Sequence, residues 1–372
     1  MTRRTVWMMT ILLPLLMAAC GDDQPQVTGT AHVLRVLESL ESQQETVIDR
    51  LTALEESVGA LEEGGGADAA PAGGGATGAE VTVATTVAFT EGPTVAEDGT
   101  LYFTDLGNNR IMRLSTDGEL STFRQPSNDA NGLIFDSEWR LVACEGGDGE
   151  TGLPRVTRTD METGEIEVLA DAYEGRELHR PNDLTIDGQG RIYFTDRPGP
   201  SPTPEQTGVH SVYRIDPDGS IERILTEPEV LRPNGIVISP DDATLYVIEI
   251  DRAEGGPRMV RAFDLSPEGT AGNMRVLYDF YPGRSGDGMT IDSQGNLYVA
   301  AGLNRPRGTT ETLDTVAGVH VISPAGELIR HIPIPEDTIT NAAFGGPDLR
   351  TLYVTAGKTV FSVRTDIEGT RR

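Results

Sequence analysis

From residue 81 onward one short β-type pattern returns six times: LYFTD at Leu101, LVACE at Leu141, IYFTD at Ile192, LYVIE at Leu245, LYVAA at Leu297 and LYVTA at Leu352. Successive runs start 40, 51, 53, 52 and 55 residues apart. In most repeats a variable segment follows, then a second run and a glycine turn such as Thr116-Asp117-Gly118, Pro217-Asp218-Gly219 or Pro324-Ala325-Gly326. A unit of this size cannot bury both faces of its own strands, so each must stack on its neighbours. Apolar β runs with glycine turns at this period specify a propeller. Six repeats predict six four-stranded blades, an all-β fold over residues 81–372. The β-prone segment Val81–Phe89 is expected to supply the outer strand that closes the ring with the last blade.

Residues ahead of the repeats have a different character. Arg3 and Arg4 precede an apolar run from Val6 to Met17, and Ala18-Ala19-Cys20 follows. That is the charged, apolar, small-residue order of an export signal, too short for a comfortable membrane span. The cysteine after two alanines resembles the lipobox of bacterial lipoproteins. The expectation is a signal over 1–19, a lipid on Cys20, an anchored segment over 20–30 and a place on the bacterial cell envelope. In 31–63, Val33, Leu40, Val47, Leu54 and Leu61 alternate with Leu37, Gln44, Leu51 and Val58 at 3.5-residue spacing. This pattern predicts a coiled-coil stalk and association of several chains through it, with Gln44 as a polar layer. A Gly- and Ala-rich tether over 64–80 joins the stalk to the propeller.

Charge removes one class of partner. The 30 basic and 58 acidic residues give a formal charge of -28, which repels the phosphates that a nucleic-acid binder must neutralise. A lipid anchor is the only expected membrane attachment. Cys20 and Cys144 cannot build a disulfide framework, and Cys144 lies in a β run as a small hydrophobe.

Counting back ten or eleven residues from the six runs gives Glu91, Asn131, Asn182, Asn234, Asp287 and Asn341. In a four-stranded blade the innermost strand precedes the marked run, so these six oxygen-bearing side chains occupy equivalent places around the central channel. Asn-Gly at 131 and 234 also suits turns between blades. Glu91 does not, and none of the six positions is apolar. Oxygens grouped in this way suit a hard divalent cation, calcium first, with magnesium, manganese or zinc as alternatives.

Over residues 81 to 365 the chain resembles the gluconolactonase, senescence-marker-protein and luciferin-regenerating family of six-bladed propellers. The resemblance lies in Glu91-Gly92-Pro93, Asn131-Gly132-Leu133, Arg180-Pro181-Asn182-Asp183-Leu184, Pro233-Asn234-Gly235, Asp287-Gly288 and Asn341, with Asp105 and Asp196 ending the Tyr-Phe-Thr-Asp runs. It implies that Glu91, Asn182, Asn234 and Asp287 surround one catalytic cation and that Asp287 is general base or nucleophile. Asn131 would sit beside the substrate and Asn341 would line the channel. Arg180, Asp105 and Asp196, near the same mouth, are the further candidates for substrate contact, the two acids being read first as structural hydrogen-bonding groups with substrate hydroxyls as the alternative. After Leu141–Glu145 the stretch GGDGETGLPR departs from the family pattern, so the pocket wall is remodelled there.

A divalent cation on two carboxylates and two amides stays electrophilic enough to polarise a lactone or ester carbonyl. The expected activity is therefore a metal-dependent lactonase or esterase. A phosphotriesterase-like hydrolase on the same site is one alternative. A propeller whose metal only holds the channel together, serving as a binding module, is the other. No Gly-Xaa-Ser-Xaa-Gly elbow is present.

Overall fold

A computed structural model describes residues 80–148, 152–199 and 203–370. The signal peptide, Cys20, the coiled-coil stalk and all but the last residue of the tether lie outside the described residues. The described residues form six four-stranded antiparallel sheets and one two-stranded hairpin, Ala172–Tyr173 with Arg176–Glu177, ahead of the third. From inside outward, blade 1 runs Thr90–Val95, Leu101–Asp105, Arg110–Leu114 and Leu120–Arg124. Blades 2 to 5 repeat that order, starting from the inner strands Ala130–Phe135, Pro181–Ile186, Pro233–Ile238 and Gly286–Ile291. Blade 6 takes three strands from the end of the chain, beginning with Ile339–Gly345, and its fourth from Val81–Thr86. That strand pairs antiparallel with Thr359–Arg364, so the ring closes as the sequence predicts. Closure leaves neither end of the circle as an open interface between sheets.

The second strand of each blade shows why its sequence is apolar almost throughout. Leu101–Asp105 is buried at all five positions because a neighbouring blade covers each face. Tyr102 turns toward blade 2 and meets Phe135 edge-on at 5.4 Å. Leu101 and Phe103 turn the other way and pack with Met112, Leu114 and Val360 of the closing sheet. Each large side chain buried in such an interface contributes about 1.5–3 kcal/mol relative to exposure. The glycine turns join third to fourth strands. Gly118 there has a φ of 90°, a conformation open to glycine and costly for a side chain.

Asn131-Gly132 and Asn234-Gly235 lie within inner strands, so the turn reading of these pairs is corrected. The glycines serve close approach between strands. A Cβ on Gly92 would run into the carbonyl oxygen of Asn131, and one on Gly288 into the side chain of Asn341.

Candidate functional site

The channel mouth is built by a bulge repeated six times. In every inner strand the register against the second strand slips at or beside the residue that counting back selects, as between Pro181 and Leu184 or Gly286 and Met289. Blades 2 and 4 slip in the same way, while Glu91 and Asn341 stand at the edge of the slips in blades 1 and 6. An extra residue bends the strand and re-aims its side chain, and it puts Glu91, Asn131, Asn182, Asn234, Asp287 and Asn341 at equivalent points of one ring. Threonines of the second strands tie the ring from blade to blade. Thr104 Oγ1 donates to the Asn131 carbonyl at 3.1 Å and Thr195 Oγ1 to that of Asn234 at 2.8 Å.

Glu91, Asn182, Asn234 and Asn341 are buried, while Asn131 and Asp287 are half-buried. The Asp287 carboxylate is held from two sides. Asn234 Nδ2 donates to its Oδ1, and Arg284 Nη2 to its Oδ2 at 2.6 Å. Arg284 is itself buried and fixed by a second bond from Nη1 to the Ile339 carbonyl, 2.9 Å. Arg197 stands half-buried near enough for the charges of Asp287 and Glu91 to act on it, and burial pulls its guanidinium down to about 10.

One acid of the channel escaped the counting. Four ring residues are followed by glycine and Asn341 by Ala342, but Asn182 is followed by Asp183. Its buried carboxylate accepts from Leu184 N at 3.0 Å and, across the channel, from Asn341 Nδ2 at 3.2 Å. Burial, with the charge of Asp287 adding, pushes Asp183 up to about 7. Beneath it the channel widens toward the opposite face into a cavity of about 1230 Å³, bordered by Asp183, Asn341, Leu184, Ile236, Met289 and Phe344.

Glu91 tests whether this ring suits a cation. Among the described residues it accepts one hydrogen bond, from Gly92 N at 3.2 Å. Burial, then Asp287, then Asp183, holds its carboxyl well above the usual carboxylate range. A buried carboxylate with so few donors and two acids beside it is stabilised by a cation, and the donors Glu91, Asn182, Asn234 and Asp287 are all oxygens of the kind that hard divalent ions take. The residues present fit the group.

Asn131 and Arg180 lie at the mouth, Arg180 exposed with its guanidinium paired to Asp129. Asp105 and Asp196 take the structural role, which corrects the alternative of substrate contact. Both are fully buried and committed to protein donors. Asp105 accepts from Phe89 N, Asn108 and Arg110, and Asp196 from the backbone N–H groups of His179 and Arg180. Glu249 does the same for Leu231 and Arg232 in blade 4. These strand-end acids clamp the loops that lead into the ring. His179 is likewise structural: its Nε2 accepts from Gly208 N at 2.6 Å and its Nδ1 meets Gln206 Oε1 at 3.1 Å. Cys144 is fully buried, as expected of a small hydrophobe, and burial raises its thiol.

Comparison with known proteins agrees with this geometry. The pattern described as the SMP-30/Gluconolactonase/LRE-like region matches residues 89–358. A gluconolactonase of Zymomonas mobilis is 29% identical over 314 residues, 77% of this chain and 81% of that protein. A 6-deoxy-6-sulfogluconolactonase of Pseudomonas putida is 27% identical over 69% of this chain and 79% of its own. Among solved structures, a gluconolactonase of Xanthomonas campestris superposes with a TM-score of 0.65 at 29% identity, covering 77% of this chain and 89% of that one.

Proposed function

Because the chain belongs to the SMP-30/Gluconolactonase/LRE-like family, we propose that it is a metal-dependent hydrolase that opens a lactone or a related ester. Lactonases among its relatives support hydrolysis of a small-molecule lactone. The observation that carries the metal is the under-satisfied, buried Glu91 beside Asp287 and Asp183. Glu91, Asn182, Asn234 and Asp287 would hold the cation, calcium first on the chemistry of the donors. When bound, it polarises the substrate carbonyl and stabilises the oxyanion that forms there.

The chain's own groups supply the rest. Asp287 is the ring acid on the mouth side, and its carboxylate takes a proton from the attacking water. Arg284 holds that carboxylate in one orientation through one hydrogen bond, its own position fixed by a second to the Ile339 carbonyl. The half-buried Arg197 puts positive charge at the mouth, near enough to Asp287 and Glu91 for their charges to act on it. Asn131, one blade from Glu91, orients the lactone, and Asn341 lines the channel below. Lipid attachment at Cys20 would tether the enzyme to the bacterial envelope.

The test is a panel of lactones, simple esters and phosphotriesters, assayed on chelated protein and again with each of calcium, magnesium, manganese and zinc. Expected is lactone opening that chelation abolishes and one of these ions restores. Turnover of the phosphotriesters alone would make this the phosphotriesterase-like enzyme. No turnover of any compound, with cation still bound, would make it a binding module.

A further inference from the structure

In a chain with 58 acidic residues against 30 basic ones, arginines gather at the mouth. Arg180 immediately precedes the inner strand of blade 3, Arg232 that of blade 4, and Arg284 stands two residues before that of blade 5. Arg197 follows the second strand of blade 3, which ends on the same face. Their nearest acids are already spent. Asp196 and Glu249 accept from the backbone N–H groups of Arg180 and Arg232, not from their guanidinium groups. Glu249 also has Arg261 at 3.6 Å. Arg284 is used by Asp287, and Arg180 by Asp129.

Two cations are left over. Among the described residues the guanidinium groups of Arg197 and Arg232 make no hydrogen bond or ion pair; Arg197 is attracted by Asp287 and Glu91 of the ring and repelled by Arg232 and Arg180, which stand just before adjoining inner strands. Arg197 is half-buried while Arg232 and Arg180 are exposed, and like charges gathered around a partly desolvated cation are costly unless an anion joins them. A neutral lactone offers none there, because the negative charge formed in its hydrolysis develops at the ring. Planar guanidinium groups suit the paired oxygens of a carboxylate, sulfonate or phosphate.

We propose that the lactone taken by this site carries a second, anionic group, held by Arg197 and Arg232 with Arg180 beside them, on the blade 3 and 4 side of the mouth. This rests on the lactone-hydrolase reading above. It adds that the substrate is an acid as well as a lactone, and that the mouth attracts it electrostatically although the molecule as a whole is strongly negative.

The test uses four lactones of one sugar skeleton that differ only at the terminal carbon, bearing a hydroxyl, a carboxylate, a sulfonate or a phosphate ester. Expected is a kcat/KM for at least one anionic lactone about ten- to a hundredfold above that of the hydroxyl lactone, with the best of the three identifying the group. The advantage should shrink as salt rises. Arg232→Gln, at an exposed position, should remove most of it, and Arg232→Lys should keep part. Equal or better hydrolysis of the hydroxyl lactone overturns the proposal, as does an Arg232→Gln loss of the same factor on all four. If no lactone is opened with any cation, the hydrolase reading fails, and calorimetry with the corresponding ring-opened acids then decides the anion site without turnover. Tighter binding of the doubly charged acids by wild type but not by Arg232→Gln supports it; equal binding of singly and doubly charged acids overturns it.

Discussion

At the scale of single residues, the site turns on which carboxylate does what. Asp287 faces the mouth with both oxygens engaged by fixed donors, and Asn at that position keeps the size and one oxygen. Asp287→Asn, assayed at saturating cation, should therefore retain the fold and lose about 10²- to 10⁴-fold in rate, the usual worth of a general base. Asn341→Ala should cost far less, since Asn341 touches Asp183 and not Asp287. Activity of Asp287→Asn within a few-fold of wild type, with Asn341→Ala inactive, would place the chemistry in the wrong blade.

Asp183 makes a different prediction, about pH. Its carboxyl is raised from 3.8 to about 7 in the folded chain. Well below pH 3.8 the group is neutral in both states and costs nothing. As pH climbs toward 7 the unfolded chain ionises and the folded one resists, so stability falls through that window and levels off above it. Asp196, raised to about 6, acts in the same direction. Chelated protein should therefore melt at lower temperature at pH 7.5 than at pH 5, and Asp183→Asn should flatten that slope. An unaltered slope in the variant would remove Asp183 from the account. The residue was hidden in the sequence for a physical reason. Counting one oxygen per blade finds the ring, but Asp183 stands one place on, where four of the other five blades carry the glycine that lets strands approach, and only an acid in place of that glycine betrays it.

Elements explain what was legible and what was not. The ten-residue step from ring residue to second strand survives in sequence because both lie in paired strands with a constant bulge, and register is rigid there. The ring-closing strand was legible for the same reason, as β-prone residues adjoining the first blade. Direction at strand ends was not. Asp105 and Asp196 end strands at the mouth, yet a spacing rule cannot say that they turn inward to hold Phe89, His179 and Arg180. The heptads of residues 31–63 carry their own prediction, since eight of nine seam positions are apolar and such a stripe is soluble only when covered. Protein lacking the signal should sediment as an oligomer, and protein starting near residue 80 as a monomer. Equal mass for the two would mean that the stripe lies against its own chain.

Across the whole molecule, all six blades contribute a side chain to the ring, and its acids repel one another when no cation is present. Glu91 comes from blade 1 and Asp183 from blade 3, while Asp287 belongs to blade 5. Their repulsion therefore pushes blades apart across the axis, and the proposed cation, shared by Glu91, Asn182, Asn234 and Asp287, would join blades 1, 3, 4 and 5. Binding to the folded ring alone stabilises by mass action, about 2.7 kcal/mol at a hundredfold excess over the dissociation constant. Spread over a domain of this size, that is a rise in melting temperature of about 5 °C. Calcium added to chelated protein should thus shift one cooperative transition upward, and Glu91→Gln, which removes one of two ligand charges and relieves some of the repulsion, should shrink the shift while raising the melting temperature of the chelated form. A calcium-dependent rate with no change in melting temperature in either protein would mean that the cation arrives with the substrate and is not held by the ring.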